Sequence, residues 1–63
     1  MNKDLIGLTF TVKEGILAGS RVKVLRQSAR TGGLTCAMQE ERGCYKVGDE
    51  VHLAPYELYI PRQ

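Results

Sequence analysis

The stretch Leu34-Thr35-Cys36-Ala37-Met38 places larger apolar side chains at every second position. A period of two is typical of a β-strand with one buried face and one exposed face. The alternation recurs in three more stretches, which are Leu8-Thr9-Phe10-Thr11-Val12, Val22-Lys23-Val24 and Val51-His52-Leu53. Because glycine-rich turns separate these stretches, the 63-residue chain is predicted to be all-β.

Working outward from these stretches gives the expected layout of one domain that spans residues 1–63. We expect strands at 8–12, 20–25, 34–39, 44–47 and 50–53, and a last short strand at 59–60. The loop 13–19 should pack Ile16 or Leu17 inward, and residues 1–7 either fray or cover one end of the core. Proline fixes φ and fits the first turn of a helix, so residues 55–58 are predicted to form one helical turn. The layout is that of a small antiparallel barrel of about five strands.

Strand parity also predicts a hairpin with residues 41–42 at its tip. In that hairpin Cys36 faces Val47 and Met38 faces Tyr45, which keeps the apolar side chains on one face. The other cysteine, Cys44, then points outward. The two thiols would lie too far apart for a disulfide, so we expect a reduced core Cys36 and an exposed Cys44.

Catalytic and metal-binding patterns are weak in this sequence. His52 is the sole histidine, and no nucleophile stands beside it. A metal site made from His52, Cys36 and Cys44 fails on parity and lacks a fourth ligand. We therefore expect no enzyme activity, no metal and no other cofactor.

Hydropathy and length predict a soluble, cytoplasmic protein without a membrane partner. No apolar run approaches the ~18 residues that cross a bilayer, and residues 1–7 are too polar for a secretory signal. A chain this short has no second lobe to form an interdomain cleft, so we expect no small-molecule substrate. An exposed edge strand would allow pairing between copies, which leaves both a monomer and a homodimer open.

Basic side chains are concentrated in the first half of the chain. Residues 1–32 hold six basic and two acidic side chains, whereas residues 33–63 hold three and five. Since the valines of the second strand face inward, Arg21 and Lys23 face outward on the same side. Such a pair can contact successive phosphates or an acidic protein, or it can be a solvated face that protects a strand edge. The candidate cations for a nucleic acid or acidic partner are Arg21, Lys23, Arg26 and Arg30.

Residues 12–24, VKEGILAGSRVKV, resemble the KOW-type element of SH3-like barrels. In that element a strand leads to a glycine, a loop, a second glycine and a strand that carries valines. Gly15, Gly19 and Val24 match this spacing, whereas the third glycine of the family falls at Val22. The resemblance implies a five-stranded SH3-like barrel. Proteins with this element are often associated with the ribosome or with transcription, and they contact RNA or a protein through their loops.

Three tyrosines, Tyr45, Tyr56 and Tyr59, lie in the last third of the chain. A tyrosine has a flat apolar body and a polar tip, which suits a binding surface. In SH3-like barrels, aromatic residues near the final helical turn often line a peptide groove, so the resemblance implies a protein-binding role. The rings of Tyr56 and Tyr59 can instead simply cap one end of a core that has no tryptophan and a single phenylalanine.

Two non-enzymatic functions follow from these observations. The first is a nucleic-acid-binding module that contacts RNA or DNA through the four cations. The second is a protein-interaction module, such as a regulator or inhibitor from a mobile element, that binds through its tyrosine-bearing end without touching nucleic acid. Nothing in the sequence chooses between a protein and a nucleic-acid partner.

Overall fold

The computed structural model describes residues 5–60. Within this range the chain forms four strands and one 3-10 helix, which are β1 (Thr9–Thr11), β2 (Arg21–Gln27), β3 (Leu34–Met38), β4 (Glu50–Leu53) and the 3-10 helix Pro55–Glu57. The strands make one antiparallel sheet in the order β1-β2-β3-β4. The predicted all-β class and the predicted helical turn are confirmed, and no helix among residues 5–60 has the length and hydropathy to cross a bilayer.

The sheet is open, so a closed five-stranded barrel is not confirmed. Strands β1 and β4 are its two edges, and they do not pair with each other within residues 5–60. After the 3-10 helix the chain returns to β1, where Val12 and Leu58 form an isolated antiparallel bridge. Residues 59–60 follow this bridge without forming the predicted last strand.

Hydrophobic packing covers one face of the sheet. Leu17 from the loop 13–19 is only 5% exposed, whereas its neighbour Ile16 is 82% exposed, so Leu17 is the residue that packs inward. Leu5 packs against the same core, and the rest of the predicted lead-in, residues 1–4, lies outside the described residues. The buried side chains of the core are Phe10, Val12, Leu17, Val22, Val24, Leu34, Cys36, Met38, Val51 and Leu58.

The predicted hairpin between residues 34–39 and 44–47 is wrong. Strand β3 pairs instead with β4, so Cys36 lies opposite Val51 and not opposite Val47. Val47 is 64% exposed, as expected for a side chain outside the core. Apolar alternation favours the nearer stretch, residues 44–47, but the observed partner of β3 lies further along the chain.

Turn chemistry explains why residues 39–49 form a loop. Arg42 and Tyr45 exchange two backbone hydrogen bonds, at 3.0 and 2.9 Å, around Gly43, which has a φ of 60°. The Asp49 carboxylate then accepts the backbone N–H of Lys46 at 2.9 Å. Two successive tight turns use the backbone groups that a strand would need for its ladder.

A side-chain hydrogen bond ties this loop to the rest of the fold. The Arg42 Nε–H donates to the hydroxyl of Ser20, a fully buried residue that directly precedes β2. The bond satisfies a polar group that would otherwise be costly inside the core. Because Ser20 directly follows the loop 13–19, the bond also holds the loop 39–49 close to that loop. Both loops form part of the wall of a groove along β4.

Candidate functional site

The outer face of the sheet carries three of the predicted cations. Arg21 and Lys23 alternate with buried valines on β2, as predicted. Strict alternation would turn Arg26 to the opposite face, but the register shifts between Val24 and Arg26. This bulge sets Arg26 opposite Thr35, on the same outer face as the other two cations. Strand parity alone does not reveal this arrangement.

Glutamates neutralise two of these three cations. The Arg21 Nη2 lies 3.6 Å from Glu40 Oε1, and the Arg21 backbone N–H donates to Glu40 Oε2 at 3.2 Å. The Arg26 Nη2 lies 3.3 Å from Glu50 Oε1. Lys23 is exposed and has no ion pair within residues 5–60. Among the described cations of this face, Lys23 is therefore the one whose charge no carboxylate neutralises.

Arg30, the fourth predicted cation, lies on the loop between β2 and β3 and is exposed. Hydrogen bonds close this loop into a turn. The Ser28 N–H donates to the Gly33 carbonyl at 2.9 Å, and the Gly32 N–H donates to the Ser28 carbonyl at 2.8 Å. Arg30 thus stands on a turn beyond the end of β2, whereas the other three cations lie on the strand.

The three tyrosines occupy different surroundings. Tyr45 is half-buried against the core, whereas Tyr56 is 69% exposed on the 3-10 helix. Tyr59 is 60% exposed, and the Lys13 ammonium lies 5.8 Å from its ring centroid. Tyr45 and Tyr59 line separate grooves, and Tyr45 belongs to the larger of these two.

A groove of about 400 Å³ runs along β4, and we call it the β4 groove. Its walls are Glu14–Leu17 of the loop 13–19, Tyr45, all four residues of β4, and Glu57 of the 3-10 helix. Successive side chains of β4 point to opposite faces of the sheet, yet all of them line the groove. The groove therefore follows the edge of the strand instead of covering one face.

The β4 groove is acidic. Its lining includes three glutamates, and it contains no lysine or arginine from residues 5–60. Glu50 is paired with Arg26, but Glu14 and Glu57 have no cationic partner in the described part of the chain. The Glu57 Oε1 accepts the Ala54 N–H at 2.9 Å, which holds that carboxylate in place. No sequence pattern predicts this grouping, because the three glutamates are remote in the chain and only the tertiary fold brings them together.

The cysteines and the histidine are arranged as predicted. Cys36 and Cys44 are both free thiols, the first buried and the second exposed. Burial raises the pKa of the Cys36 thiol from 9.0 to about 11, so this thiol is protonated near neutral pH and a poor nucleophile. His52 is exposed, and its Nδ1 lies 3.1 Å from the Thr35 hydroxyl. Among residues 5–60 no three His, Cys, Asp or Glu side chains are grouped to hold a metal ion.

No protein-family model matches the chain, and neither a curated protein nor a solved structure matches it. The resemblance of residues 12–24 to a KOW-type element is thus neither supported nor contradicted by a relative. The basis for a functional proposal is the chemistry of the β2 cations and of the β4 groove.

Proposed function

We propose that this chain is a small, non-enzymatic binding module of SH3-like and KOW-like design whose partner is a protein. It acts without a cofactor or a small-molecule substrate, and its two free thiols are consistent with the reducing cytoplasm. The observation that carries the proposal is the β4 groove, where the exposed Ile16 and the half-buried Tyr45 lie beside carboxylates that have no cationic partner within residues 5–60.

Two features support the SH3-like design. The Lys13 N–H donates to the Glu57 carbonyl at 2.6 Å and the Tyr59 N–H donates to the Thr11 carbonyl at 2.9 Å, so the chain after the 3-10 helix runs beside β1 like an incipient fifth strand. Gly15 and Gly19, the two glycines of the KOW-like stretch, have φ values of 96° and 91°. This left-handed backbone favours glycine, which gives the matched spacing a physical reason.

Exposed apolar surface favours a protein over a nucleic acid. Ile16 and Val47 are 82% and 64% exposed, and the ring of Tyr45 forms part of the groove wall. Apolar and aromatic side chains of this kind form the centre of protein–protein interfaces. Surfaces that bind nucleic acid depend instead on unpaired cations. Here Arg21 and Arg26 are already paired with glutamates, so they are less suited to contact phosphates.

Selection from a displayed library of random peptides on the immobilised protein tests this proposal. We expect enrichment of related peptides, and the binding of a synthetic copy, measured by calorimetry, should weaken in Tyr45→Ala, which alters the groove wall. Tyr56→Ala is the matched control, because Tyr56 lies outside the groove. Failure to enrich any peptide, or equal loss of binding in the two variants, would contradict the proposal.

A second candidate function, binding to RNA or DNA, is favoured by the bulge that gathers Arg21, Lys23 and Arg26 on one face. Retention on immobilised RNA across a salt series tests it, with an Arg21→Ala/Lys23→Ala double variant and Lys46→Ala as the control. For each phosphate that the variant no longer neutralises, the slope of log affinity against log salt should fall by about 0.7 to 0.9. Retention that the double variant leaves unchanged excludes this function.

A further inference from the structure

Strand β4 has an open edge. The backbone N–H of Met38, at the end of β3, donates to the Asp49 carbonyl at 2.8 Å. Bonded positions in an antiparallel ladder recur at every second residue, so residues 51 and 53 turn their backbone groups toward β3. The N–H and C=O groups of Glu50 and His52 therefore point away from the sheet. Within residues 5–60 no strand covers this side of β4.

The edge has only part of the usual protection against strand pairing. Natural edge strands are blunted by short length, charged side chains, proline or a bulge, and of these β4 has only a length of four residues and the charge of Glu50. Strand β4, Glu50-Val51-His52-Leu53, has neither proline nor lysine, and its register with β3 runs without a shift. The opposite edge, β1, is partly covered by the bridge between Val12 and Leu58. The β4 edge is thus the one available for another strand.

The charge of the β4 groove indicates what could lie along this edge. Glu14 and Glu57 have no cationic partner within residues 5–60, so they complement lysine or arginine. Ile16 and Tyr45 offer apolar contacts in the same groove. Because side chains of an extended segment alternate between two sides, a strand that alternates cationic and apolar residues satisfies both features.

A second copy of this chain fits the edge poorly. Pairing β4 with β4 of another molecule would bring two acidic grooves together, and like charges across paired strands are destabilising. We propose that the β4 groove binds an extended segment of a partner protein, in which lysine or arginine alternates with apolar residues, as an added strand on the edge of β4. This inference rests on the proposed protein-interaction function, and it names the class of segment and the mode of binding.

The first test uses a six-residue peptide that alternates arginine and valine, titrated into ¹⁵N-labelled protein. We expect the amide signals of residues 50–53 and 14–17 to shift, and a glutamate–valine peptide of equal length to have no effect. Methylation of alternate peptide nitrogens on the pairing side should abolish binding, because a strand needs those N–H groups. Equal binding of the methylated peptide, or shifts confined to other residues, would overturn the inference while leaving the proposed function to its own test.

Variants of the chain provide the second test. Glu14→Gln/Glu57→Gln should weaken binding of the arginine–valine peptide by about fivefold, the size expected from one exposed and one half-buried charge pair at the surface. Glu41→Gln, an exposed change outside the groove, should leave its affinity unchanged.

His52→Pro removes an outward N–H without removing a bond to β3, so it should reduce binding more than about tenfold in a folded protein. Unchanged binding of the arginine–valine peptide to Glu14→Gln/Glu57→Gln would refute the proposed attraction between these carboxylates and the cations of the segment. Protein that forms dimers through β4 would identify a second copy as the occupant instead.

Discussion

Truncation of Val51 should cost far more stability than the same truncation of Val47. Val51 is 7% exposed and lies opposite Cys36, whereas Val47 is 64% exposed in the loop 39–49. Removing two buried methyl groups loses about 0.8 kcal/mol each, and with the cavity term we expect about 2 kcal/mol for Val51→Ala. Val47→Ala should stay within about 0.5 kcal/mol of the wild type.

Urea denaturation followed by far-UV circular dichroism measures both values. A domain of this size has about 3 to 9 kcal/mol of stability, so Val51→Ala should remain folded and give a complete transition. Both variants should keep the wild-type m-value, which shows that the midpoint reports stability alone. If Val47→Ala cost about 2 kcal/mol and Val51→Ala almost nothing, β3 would pair with residues 44–47, and the register between β3 and β4 would be refuted.

Three further changes probe the turn, the core thiol and the outer face. Gly19→Ala should lower stability by about 1 to 2 kcal/mol, since φ is 91° and the new Cβ would lie 3.4 Å from the Arg42 guanidinium; an unchanged melting temperature contradicts this. Stability should fall by about 2 kcal/mol from pH 9 to 11, because the pKa of the Cys36 thiol is 9.0 in the unfolded chain and about 11 in the folded protein, so the unfolded thiol loses its proton first. The fall should be smaller in Cys36→Ala, and equal pH profiles for the two proteins would argue against burial as its cause. A double-mutant cycle on Arg26 and Glu50, both largely exposed, should give a coupling below about 1 kcal/mol; a larger value would indicate that the pair is desolvated.

Much of the fold follows from local patterns in the sequence. The alternation in residues 34–38 and 50–53 predicted which side chains are buried, because successive side chains of a strand point to opposite faces of the sheet and only one face is buried. Pro55 predicted a helical turn because its ring fixes φ. These features depend on neighbouring residues alone, so a single sequence contains the information needed to infer them.

The pairing of strands was less predictable, because it depends on competition between distant segments. Residues 44–47 have apolar side chains at suitable positions, yet turns around Gly43 and Gly48 use their backbone hydrogen bonds. The alternation of apolar side chains does not indicate which partner accepts or donates the hydrogen bond of each backbone N–H and C=O group. Counting backbone partners around Asp49, a residue suited to turns, would have favoured residues 50–53 as the partner of β3.

The two candidate surfaces follow from the same departures from regular alternation. The bulge after Val24 turns Arg26 outward, where it pairs with Glu50 and removes one charge from the acidic groove and one from the basic face. Because residues 39–49 form turns, the strand that pairs with β3 begins only at Glu50. The same turns place Tyr45 beside the edge of β4. One ion pair therefore links the two surfaces electrostatically. We expect Arg26→Ala to strengthen binding of the arginine–valine peptide, because freeing Glu50 adds a negative charge where the peptide lies, and unchanged binding would place the peptide away from Glu50.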